Sequence, residues 1–410
     1  MTLRVFTCTP VRFAGDLSFF SRESGMFSIG LELNGVHSRA VMPGPEMDGD
    51  FPNLIRATER DLESPAWWRM HDLDGVVLYS WAAPRFTRVA EAIRSAGIRL
   101  CVCMDTSGVI SWHANPSEWV KSSCRRSYFE NRSLLCRCSA YCRVIFETLV
   151  SPIAFRRKRH YRCADVVTLP TPAGLLWAER EARAIGLDCI RPKFQYLPHP
   201  QSHDFHYDGT TKQNLVVTVA RWMERDHGQK NPQALLDAYR YFLKMRPGWS
   251  GLIVGRGATR LVETLGVEPI ENLNFLDALS PSDMPAIYRS AKIGFWTSRW
   301  EGQQGAAAQA LCCGCSVVSH GAAMMSCFRH YVTKASGRIA AAESPMALAE
   351  ELVLEADAWE RGERNASAIS VSWTREFHAK NVARRALEYL DLVNSQPQQT
   401  EVDQIVNRSL

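Results

Sequence analysis

The 410-residue sequence has no apolar run that approaches the roughly 18–20 residues of a membrane span. Its first residues, Met1 to Cys8, lack the apolar core of a secretory signal peptide, and they predict a buried first strand instead. The sequence also has no internal repeat of solenoid period. We therefore expect a soluble, cytoplasmic protein rather than a secreted or membrane-spanning one.

An excess of one charge is lacking as well. The chain carries 48 Lys and Arg against 43 Asp and Glu, and a net charge of +5 does not by itself indicate nucleic-acid binding. Hydrophobic residues make up 46% of the chain and charged residues 22%, which is typical of globular proteins. At this length we expect two domains.

The 13 cysteines lack the paired C-x-x-C spacing of zinc knuckles. The best metal-binding candidates have spacings that match no common zinc site: Cys124, Cys136, Cys138 and Cys142. Free, mostly buried thiols in a reducing compartment explain an odd number of irregularly placed cysteines better than a metal site does.

Short apolar runs alternate with longer helical patterns along the chain. The predicted strands are 3–7, 39–42, 75–79, 99–103, 165–169, 194–197, 215–220, 251–254, 273–276, 293–297 and 317–319. The predicted helices include 27–33, 85–95, 232–244, 281–290, 306–312 and 345–355. Strands that are apolar on both faces and separated by helices indicate parallel sheets with helices on both sides. Because this pattern runs twice, we predict an α/β fold with two doubly wound domains.

The predicted break between the domains lies at Pro198-His199-Pro200-Gln201, which leads into a polar stretch without apolar periodicity. We place the N-terminal domain at 1–198 and the C-terminal domain at 199–375. A crossover helix is expected at 376–394, followed by a polar tail at 395–410. Ligands of such sheets bind at the carboxyl ends of the strands, so we expect the site in a cleft between the two domains.

The segment from Phe295 to Val318 combines a strand, a turn, a helix of small residues and a second buried strand. Its helix opens after Gly302 and Gly305. A helix start presents unpaired N–H groups and a positive dipole end, which together can hold a phosphate. From the glycines alone, a tight packing turn is an equal alternative.

This segment resembles the donor-site signature of the retaining GT-B glycosyltransferases of family 4. The matching residues are Glu301, Gly302, Ala310, Gly314, Val317 and Val318. The resemblance continues through segments 217–231, 252–257 and 274–288, and it covers roughly residues 160–320. Several ordered motifs together are more specific than a single glycine-rich turn.

The resemblance implies a GT-B fold, with two Rossmann-like domains and a C-terminal helix that crosses back to the first one. It implies that Arg221 and Lys230 contact the donor diphosphate and that Glu301 contacts the donor sugar; for Arg221, a surface salt bridge is the alternative. Fixed cations and N–H dipoles stabilise the negative charge that grows on a leaving diphosphate. Neither a cofactor nor a metal is implied. Further donor-binding residues are implied at Gly255, Phe275, Gly302, Gln303, Gln304, Gly305 and Gln309.

The sequence departs from the family pattern in three places. Gln309 replaces an acid that grips the ribose, and a neutral amide makes a weaker bond than a carboxylate, so we predict weakened nucleotide binding. Met104 stands where the family often has His, which leaves Asp105 to contact sugar or acceptor, with a helix cap or turn as the alternative. Pro198-His199-Pro200 replaces Pro-Asn-Gly. Gly25, in the first N-terminal loop, is expected to line the acceptor side.

From Lys121 to Arg162, eleven Lys and Arg stand against Glu130 and Glu147, which gives a local charge of +9. Apolar residues are interleaved, and basic amphipathic helices attract anionic lipid. This stretch predicts an anionic membrane surface as a partner. The alternative is a solvated helix face over ordinary core. RNA binding is a third and less favoured function for this stretch, because the sequence has no RRM, KH or OB signature.

The resemblance implies a retaining hexosyltransferase that moves a sugar from a UDP- or GDP-sugar to a glycan or lipid-linked acceptor. We expect it to act in cell-surface polysaccharide or glycolipid biosynthesis, peripherally on the cytoplasmic face of the membrane. One alternative is a non-catalytic GT-B scaffold for an active transferase, which Met104 and Gln309 favour. A nucleotide-sugar epimerase is another, although the sequence has no matching acid–base constellation.

Overall fold

The computed structural model describes residues 2–11, 23–44, 53–131, 133–187 and 193–394. The described chain divides into two compact units. Unit 1 takes its residues from Met1–Gly108, Pro152–Pro200 and Ala379–Leu410, and unit 2 from Val109–Ser151 and Gln201–His378. The polar tail predicted at 395–410 lies outside the described residues.

The sheet of unit 1 comprises seven parallel strands in the described part of the chain, in the order β3-β2-β1-β4-β5-β6-β7. Their bounds are β1 Val5–Cys8, β2 Ala40–Pro43, β3 Leu54–Ala57, β4 Gly75–Leu78, β5 Arg99–Cys103, β6 Val166–Leu169 and β7 Phe194–Tyr196. Every residue of β1, β4 and β6 is buried, as expected for a sheet with helices on both faces. The strand order reverses between β1 and β4, which is the topological switch point of this sheet.

The sheet of unit 2 comprises six parallel strands among the described residues, in the order β10-β9-β8-β11-β12-β13. Their bounds are β8 Gln213–Val219, β9 Ser250–Val254, β10 Leu273–Leu276, β11 Ala291–Phe295, β12 Ser316–His320 and β13 Gly337–Ala340. Two separate apolar clusters cover its faces, because neighbouring residues of a strand point to opposite sides. Val217 belongs to one cluster and Val216 to the other. The predicted α/β class with two Rossmann-like sheets is confirmed.

The helices connect these strands and, for many of them, an N-terminal capping side chain marks the start. Thr171, Ser344 and Asn115 each accept a hydrogen bond from the first helical turn, and a proline follows each of them. In chain order the helices are α1 Ser24–Glu32, α2 Glu59–Leu62, α3 Pro65–Arg69, α4 Thr87–Ser95, α5 Pro116–Glu130, α6 Leu134–Val150, α7 Pro152–Cys163, α8 Pro172–Ala184, α9 His227–Lys230, α10 Pro232–Met245, α11 Leu261–Leu265, α12 Met284–Ser290, α13 Gly305–Cys312, α14 Ser326–Tyr331, α15 Pro345–Glu360, α16 Ala366–Phe377 and α17 Ala379–Tyr389.

The C-terminal helix α17 packs on α1 within unit 1. Gly30 lies where the two helices touch, and a Cβ added there would be 2.2 Å from the carbonyl oxygen of Ala379. Val382 and Leu387 of α17 are buried in the core of unit 1. The predicted return of the C-terminal helix to the first domain is therefore confirmed.

Helices α5 and α6 belong to unit 2, although the sequence analysis places them in a domain that spans 1–198. Arg125 of α5 forms a two-pronged ion pair with Glu343. The ring of Phe129 lies 3.8 Å from the guanidinium carbon of Arg299. The pattern of strands and helices along the sequence does not indicate contacts between residues so far apart. For this reason the boundaries of the two units differ from the predicted domain boundaries.

The largest differences from the predictions concern two strands and two helix starts, one of which is that α1 begins at Ser24 rather than at residue 27. Strands β3 and β13 are not predicted at all, because they are short edge strands in which Arg56 and Arg338 interrupt the apolar run. The helix predicted from Pro281 begins instead at Met284. Ser280, which precedes the predicted start, donates a hydrogen bond to the carboxylate of Asp283 at 2.6 Å and does not cap the helix.

In the described part of the chain, no single helix has both the length and the apolar content of a membrane span. The pair α6 and α7 meets this test by length and composition only when the two helices are counted together.

Candidate functional site

Several chain segments of unit 2 meet at the carboxyl edge of its sheet. Arg221 follows β8, Gly255 follows β9, and the turn that carries Glu301 follows β11. These strands are neighbours in one parallel sheet, so their ends lie along the same edge. Helix α13 begins at Gly305 directly after the turn.

Lys230 and Glu301, both predicted site residues, form an ion pair. Nζ of Lys230 lies 2.5 Å from Oε1 of Glu301, and each side chain is only 9% exposed. The hydroxyl of Thr297 donates to the carbonyl oxygen of Lys230 at 3.1 Å, which ties this lysine to the end of β11. An ammonium has three N–H donors, so the bond to Glu301 does not use all of its capacity.

Two amide side chains also hold the carboxylate of Glu301. Nε2 of Gln304 donates to Oε1 at 3.2 Å, and Nε2 of Gln229 donates to Oε2 at 3.3 Å. The backbone N–H of Glu301 donates to the carbonyl oxygen of Met324 at 2.8 Å. A carboxylate held in this way is oriented before any ligand arrives.

Arg299, which the sequence analysis does not assign to the site, fixes the turn to the α9 segment. Its guanidinium donates to the carbonyl oxygen of Gly228 at 2.8 Å and to Oδ1 of Asn231 at 2.5 Å. Burial, together with the neighbouring charge of Arg125, lowers the pKa of Arg299 to about 10. The side chain therefore stays cationic at neutral pH and adds positive charge beside the turn.

Arg221 lies at the surface. Its side chain is 65% exposed, and its guanidinium is 3.5 Å from Oδ1 of Asp226. This contact corresponds to the surface salt bridge that the sequence analysis holds as the alternative. An ion pair with so exposed a partner is worth only about 0–1 kcal/mol, so Arg221 can leave Asp226 for an incoming anion.

The turn and the start of α13 carry four further predicted residues. Gly302 and Gln303 are half-buried, and Gln304 is buried and occupies the N-cap position without a side-chain hydrogen bond to the helix. At Gly305, an added Cβ would meet its nearest heavy atom only at 4.0 Å, so packing does not require a glycine there. This open space favours the ligand-binding interpretation of the turn over the tight packing turn. Gln309 is half-buried, one helical turn further along.

Gly255 and Phe275 have clear packing roles. Gly255 has a φ of 131°, and a Cβ there would lie 1.8 Å from the carbonyl oxygen of Ala220, so only glycine lets the ends of β8 and β9 approach. Phe275 of β10 packs against one of the two apolar clusters. These contacts account for both residues without a ligand.

Helix α5 reaches the same turn, which the sequence analysis does not anticipate. A Cβ at Gly228 would be 2.6 Å from the carbonyl oxygen of Phe129, so α5 and the loop before Lys230 are in close contact. A cavity of about 610 Å³ lies beside this contact, and it is lined by Glu130, Glu224, Arg225, Asp226, Gln229 and Trp300. Since α5 is distant in sequence, no local motif could have indicated its part in the site.

The predicted site residues of the N-terminal half lie in unit 1. Met104 is buried, and Asp105 is 39% exposed with Oδ1 3.3 Å from Nε2 of His199. Gly25 is the second residue of α1, so its predicted position in a loop is wrong, because the helix already begins at Ser24. The sequence analysis uses His199 to mark the domain break and a departure from the family pattern, and it assigns this residue no role in the site.

The cysteines proposed as metal candidates do not form a metal-binding group. Cys136, Cys138 and Cys142 are exposed free thiols on α6, and Cys124 is half-buried on α5. Within the described ranges, no group of three or more His, Cys, Asp or Glu side chains is placed to hold a metal ion.

The comparison with protein families identifies the part of the chain that carries the Lys230–Glu301 pair. Residues 213–354 match the model of the family described as Glycosyl transferases group 1. This part of the chain is similar to group 1 glycosyltransferases. The predicted resemblance and the enzyme class, glycosyltransferase, are confirmed. No curated protein matches the sequence.

Solved structures resemble this glycosyltransferase over nearly its whole length. The HepE protein of Anabaena, solved with UDP and glucose, has a TM-score of 0.60 and 13% identity, and the match covers 95% of this chain and 100% of that one. Sucrose-phosphate synthase from Thermosynechococcus elongatus has a TM-score of 0.59 and 14% identity, with 95% and 99% covered. A glycosyltransferase from Rickettsia africae has a TM-score of 0.60 and 11% identity, with 96% and 100% covered. At these identities the likeness shows the fold alone, and it confirms the predicted GT-B fold.

Proposed function

We propose that this glycosyltransferase moves a sugar from a UDP-sugar to a hydroxyl group of a glycan or lipid-linked acceptor, with retention of the anomeric configuration. The observation that carries the proposal is the Lys230–Glu301 ion pair beside the N-terminus of α13, where Gly305 borders open space. The UDP-glucose bound to the Anabaena HepE protein favours uridine over guanosine as the base.

The residues around the pair suit a diphosphate leaving group. Lys230 and the first N–H groups of α13 supply fixed positive charge, and such charge is most effective in a site from which water is largely excluded. Arg221 provides an exposed cation that can swing onto the diphosphate. Glu301 is held to accept hydrogen bonds from sugar hydroxyls. Because these groups offset the developing negative charge, we propose that the reaction requires no metal ion.

The donor experiment is calorimetry with UDP, followed by detection of glucose released from UDP-glucose. We expect the wild type to bind UDP more tightly than GDP, and release to continue in EDTA. The substitution Arg221→Ala should weaken UDP binding ten-fold or more, because a charge-assisted hydrogen bond contributes about 1.5–3 kcal/mol. Arg361→Ala, which removes an exposed arginine paired with Glu363 outside the site, is the matched control. Unchanged UDP affinity in R221A would remove Arg221 from the site.

The alternative, a non-catalytic GT-B partner of another transferase, is favoured by Met104 and by Gln309 in place of a carboxylate. The substitution Gln309→Glu separates the two functions. If the protein is an enzyme, restoring the acid should tighten UDP binding and raise the rate of UDP-glucose hydrolysis. A wild type and a Q309E variant that both fail to bind UDP would support the scaffold function. Release of an altered free nucleotide sugar without acceptor would instead indicate an epimerase.

We further propose that the protein meets a lipid-linked acceptor at an anionic membrane surface through α6, in cell-surface polysaccharide or glycolipid biosynthesis. None of the 17 residues of α6 is buried, and its large apolar side chains are unusually exposed, including Leu135 at 84% and Leu149 at 79%. Arg143 is an exposed cation on the same helix. Exposed apolar area and positive charge together favour anionic lipid.

Some arginines of the basic stretch predicted between Lys121 and Arg162 form ion pairs within the protein. Arg157 is buried in an ion pair with Glu181, and Arg159 pairs with Glu91. Arg132 lies outside the described residues. We therefore assign the membrane contact mainly to the apolar side chains of α6 and less to the charge of the stretch.

Sedimentation with vesicles tests the membrane proposal. The wild type should bind phosphatidylglycerol-containing vesicles better than neutral phosphatidylcholine vesicles, and Leu135→Glu with Leu149→Glu should abolish binding. Leu176→Glu, at an exposed apolar residue of α8, is the matched control and should bind like the wild type. Equal sedimentation of the wild type and the double variant would refute the role of α6.

A further inference from the structure

A group of polar residues lies at the carboxyl edge of the sheet of unit 1, at and beside its switch point. Glu23 precedes α1, Tyr79 follows β4, Asp105 follows β5 and His199 follows β7. We call these four residues the carboxyl-edge cluster. Open α/β sheets bind their ligands at this edge.

His199 is fixed within the carboxyl-edge cluster. Its ring lies 5.7 Å from the ring of Tyr79 at an interplanar angle of 31°, and its side chain is 11% exposed. Pro198 and Pro200 flank it and restrict the backbone on both sides. The imidazole therefore has a defined orientation, with Nε2 facing the carboxylate of Asp105.

The charges around His199 favour its protonated form. Burial alone would lower the pKa of the imidazole, but the hydrogen bond and the charge of Asp105 raise it. Glu23 and Cys103 act in the same direction, so the pKa lies above its usual value. The buried neighbour Tyr79 has a strongly raised pKa and stays neutral. His199 therefore stays protonated up to a higher pH than an ordinary histidine does.

Asp105 is the accessible member of this pair, with a side chain that is 39% exposed. The helix that follows it, α5, is capped by Asn115, so the cap role considered from the sequence is filled by another residue. An ionised carboxylate only accepts hydrogen bonds, and it can accept them from sugar hydroxyls. The contact with Nε2 of His199 limits the rotation of this carboxylate.

We infer that His199 is a positioning residue, which holds Asp105 as a hydroxyl-binding carboxylate for a sugar in unit 1. The inference rests on the proposed glycosyl transfer for the reaction that it serves. It assigns to His199 a role that Met104 cannot have, because a thioether offers no N–H donor to a carboxylate.

The first test is an NMR titration of the histidine ring protons in the full chain. The pKa of His199 should lie above 6.5 in the wild type and fall in Asp105→Asn, because the substitution removes the facing charge. The variant His206→Gln, at an exposed histidine of unit 2, should leave the titration of His199 unchanged. An unchanged titration in D105N would show that the two side chains are not coupled, and it would overturn the inference without any assay of activity.

The second test follows hydrolysis of UDP-glucose in His199→Phe, His199→Gln and the control H206Q. H199F should lower kcat about ten-fold while UDP affinity stays within about two-fold, because the lost group orients a sugar contact rather than the nucleotide. H199Q retains an N–H donor and should recover most of the rate. The wild-type rate should fall as pH rises through the pKa of His199, and H199Q should lack this alkaline limb.

The double variant D105N/H199F distinguishes positioning from a separate structural effect. If His199 acts through Asp105, the double variant should be no slower than D105N alone, whereas independent effects multiply. Multiplied losses, or a kcat in H199F equal to that of H206Q, would overturn the inference. If the wild type binds UDP and hydrolyses UDP-glucose but these variants match the control, only the inference fails. If the wild type does neither, the proposed function fails, and the inference fails with it.

Discussion

Lys230 and Glu301 bring two opposite charges into a site where each side chain is only 9% exposed. Removing one partner of such a pair leaves the other charge without compensation, which costs far more than an exposed ion pair contributes. The two residues should therefore depend on each other for stability as well as for binding.

We predict that Lys230→Met lowers the free energy of unfolding of unit 2 by about 3 kcal/mol, because it leaves the carboxylate of Glu301 unpaired. The double variant K230M/E301M, which removes both charges, should be closer to wild type than K230M. Urea unfolding followed by fluorescence measures both values. Equal losses in K230M and the control Lys244→Met, at a residue of α10 outside the site, would contradict a coupled pair.

His160 is a second residue with a testable charge state. It is fully buried on α7, Nε2 lies 2.9 Å from the hydroxyl of Ser80, and burial together with the charge of Arg157 lowers its pKa to about 4. Between pH 6.5 and about 4 the unfolded chain therefore binds a proton that the folded chain does not. The contribution of His160 to stability is present above pH 6.5 and is lost as pH falls.

From this shift, we predict that His160 alone costs unit 1 about 2 kcal/mol of stability when the pH falls from 7 to 5. His160→Gln retains a hydrogen-bonding side chain but does not titrate, so its unfolding free energy should fall less over the same range. Urea unfolding at both pH values measures the difference. Parallel pH profiles for the wild type and H160Q would show that His160 is not buried in its neutral form.

The sequence predicts some of these residues and not others for a physical reason. Glu301 and Lys230 belong to segments whose order and spacing resemble a family signature, and the structure brings the two side chains together. His199 and Arg299 have no such local signal, because their partners Asp105 and Asn231 come near only when the sheets form. Gly255 was predicted as a donor contact, yet its positive φ and its closeness to Ala220 explain it by backbone geometry.

At the scale of elements, α5 contacts other parts of unit 2 through several side chains, and Arg125 forms an ion pair with Glu343. Glu343 also faces His320, and its pKa is lowered because Arg125 and His320 outweigh the effect of burial. The attachment of α5 should therefore be sensitive to a reversal of charge at either partner.

We predict that Arg125→Glu detaches α5 enough for trypsin to cleave the 116–131 segment several-fold faster, because like charges then face each other. Combining it with Glu343→Arg should restore protection, since the ion pair is re-formed with its ends exchanged. Timed digestion followed by mass spectrometry measures the cleavage. Equal digestion of R125E and the wild type would indicate that the pair does not hold α5.

The contact between α1 and α17 leads to another prediction. Gly30→Ala would place a methyl group 2.2 Å from a backbone oxygen of α17, so the helices must separate and the melting temperature should fall by several degrees. Gly248→Ala, where nothing lies within 4 Å of the added atom, is the matched control. Calorimetry of both variants makes the comparison, and equal melting temperatures would contradict the close packing.

Among the described strands, those in the middle of the sheets were all predicted, whereas two of the four edge strands were missed. Strand β5 has the predicted bounds, and its apolar run is buried in the middle of its sheet. Strand β10 also has the predicted bounds, although it is an edge strand in which only Leu273 is buried. The edge strands β3 and β13 escape prediction because a strand with one neighbour can keep polar residues. Helix α5 was recognised only as part of a basic stretch, and its contact with the site depends on folding.

At the scale of the whole molecule, composition and the twice-repeated pattern were enough to predict two parallel α/β units. The domain boundaries were harder, because unit 2 takes α5 and α6 from the first half of the chain. Local sequence patterns predict which helices and strands form. They do not predict which of the two apolar cores the helices between β5 and β6 will pack against.

The return of α17 to unit 1 has a consequence for biosynthesis. A ribosome makes the chain from its amino end, so α1 emerges long before its partner α17. Until α17 has emerged, the side of α1 around Gly30 lacks the helix that packs on it in the folded protein. A purified variant truncated after residue 378 would keep the residues of unit 2 and lack α17, so we expect it to hold a folded second unit beside a first unit whose apolar core is exposed.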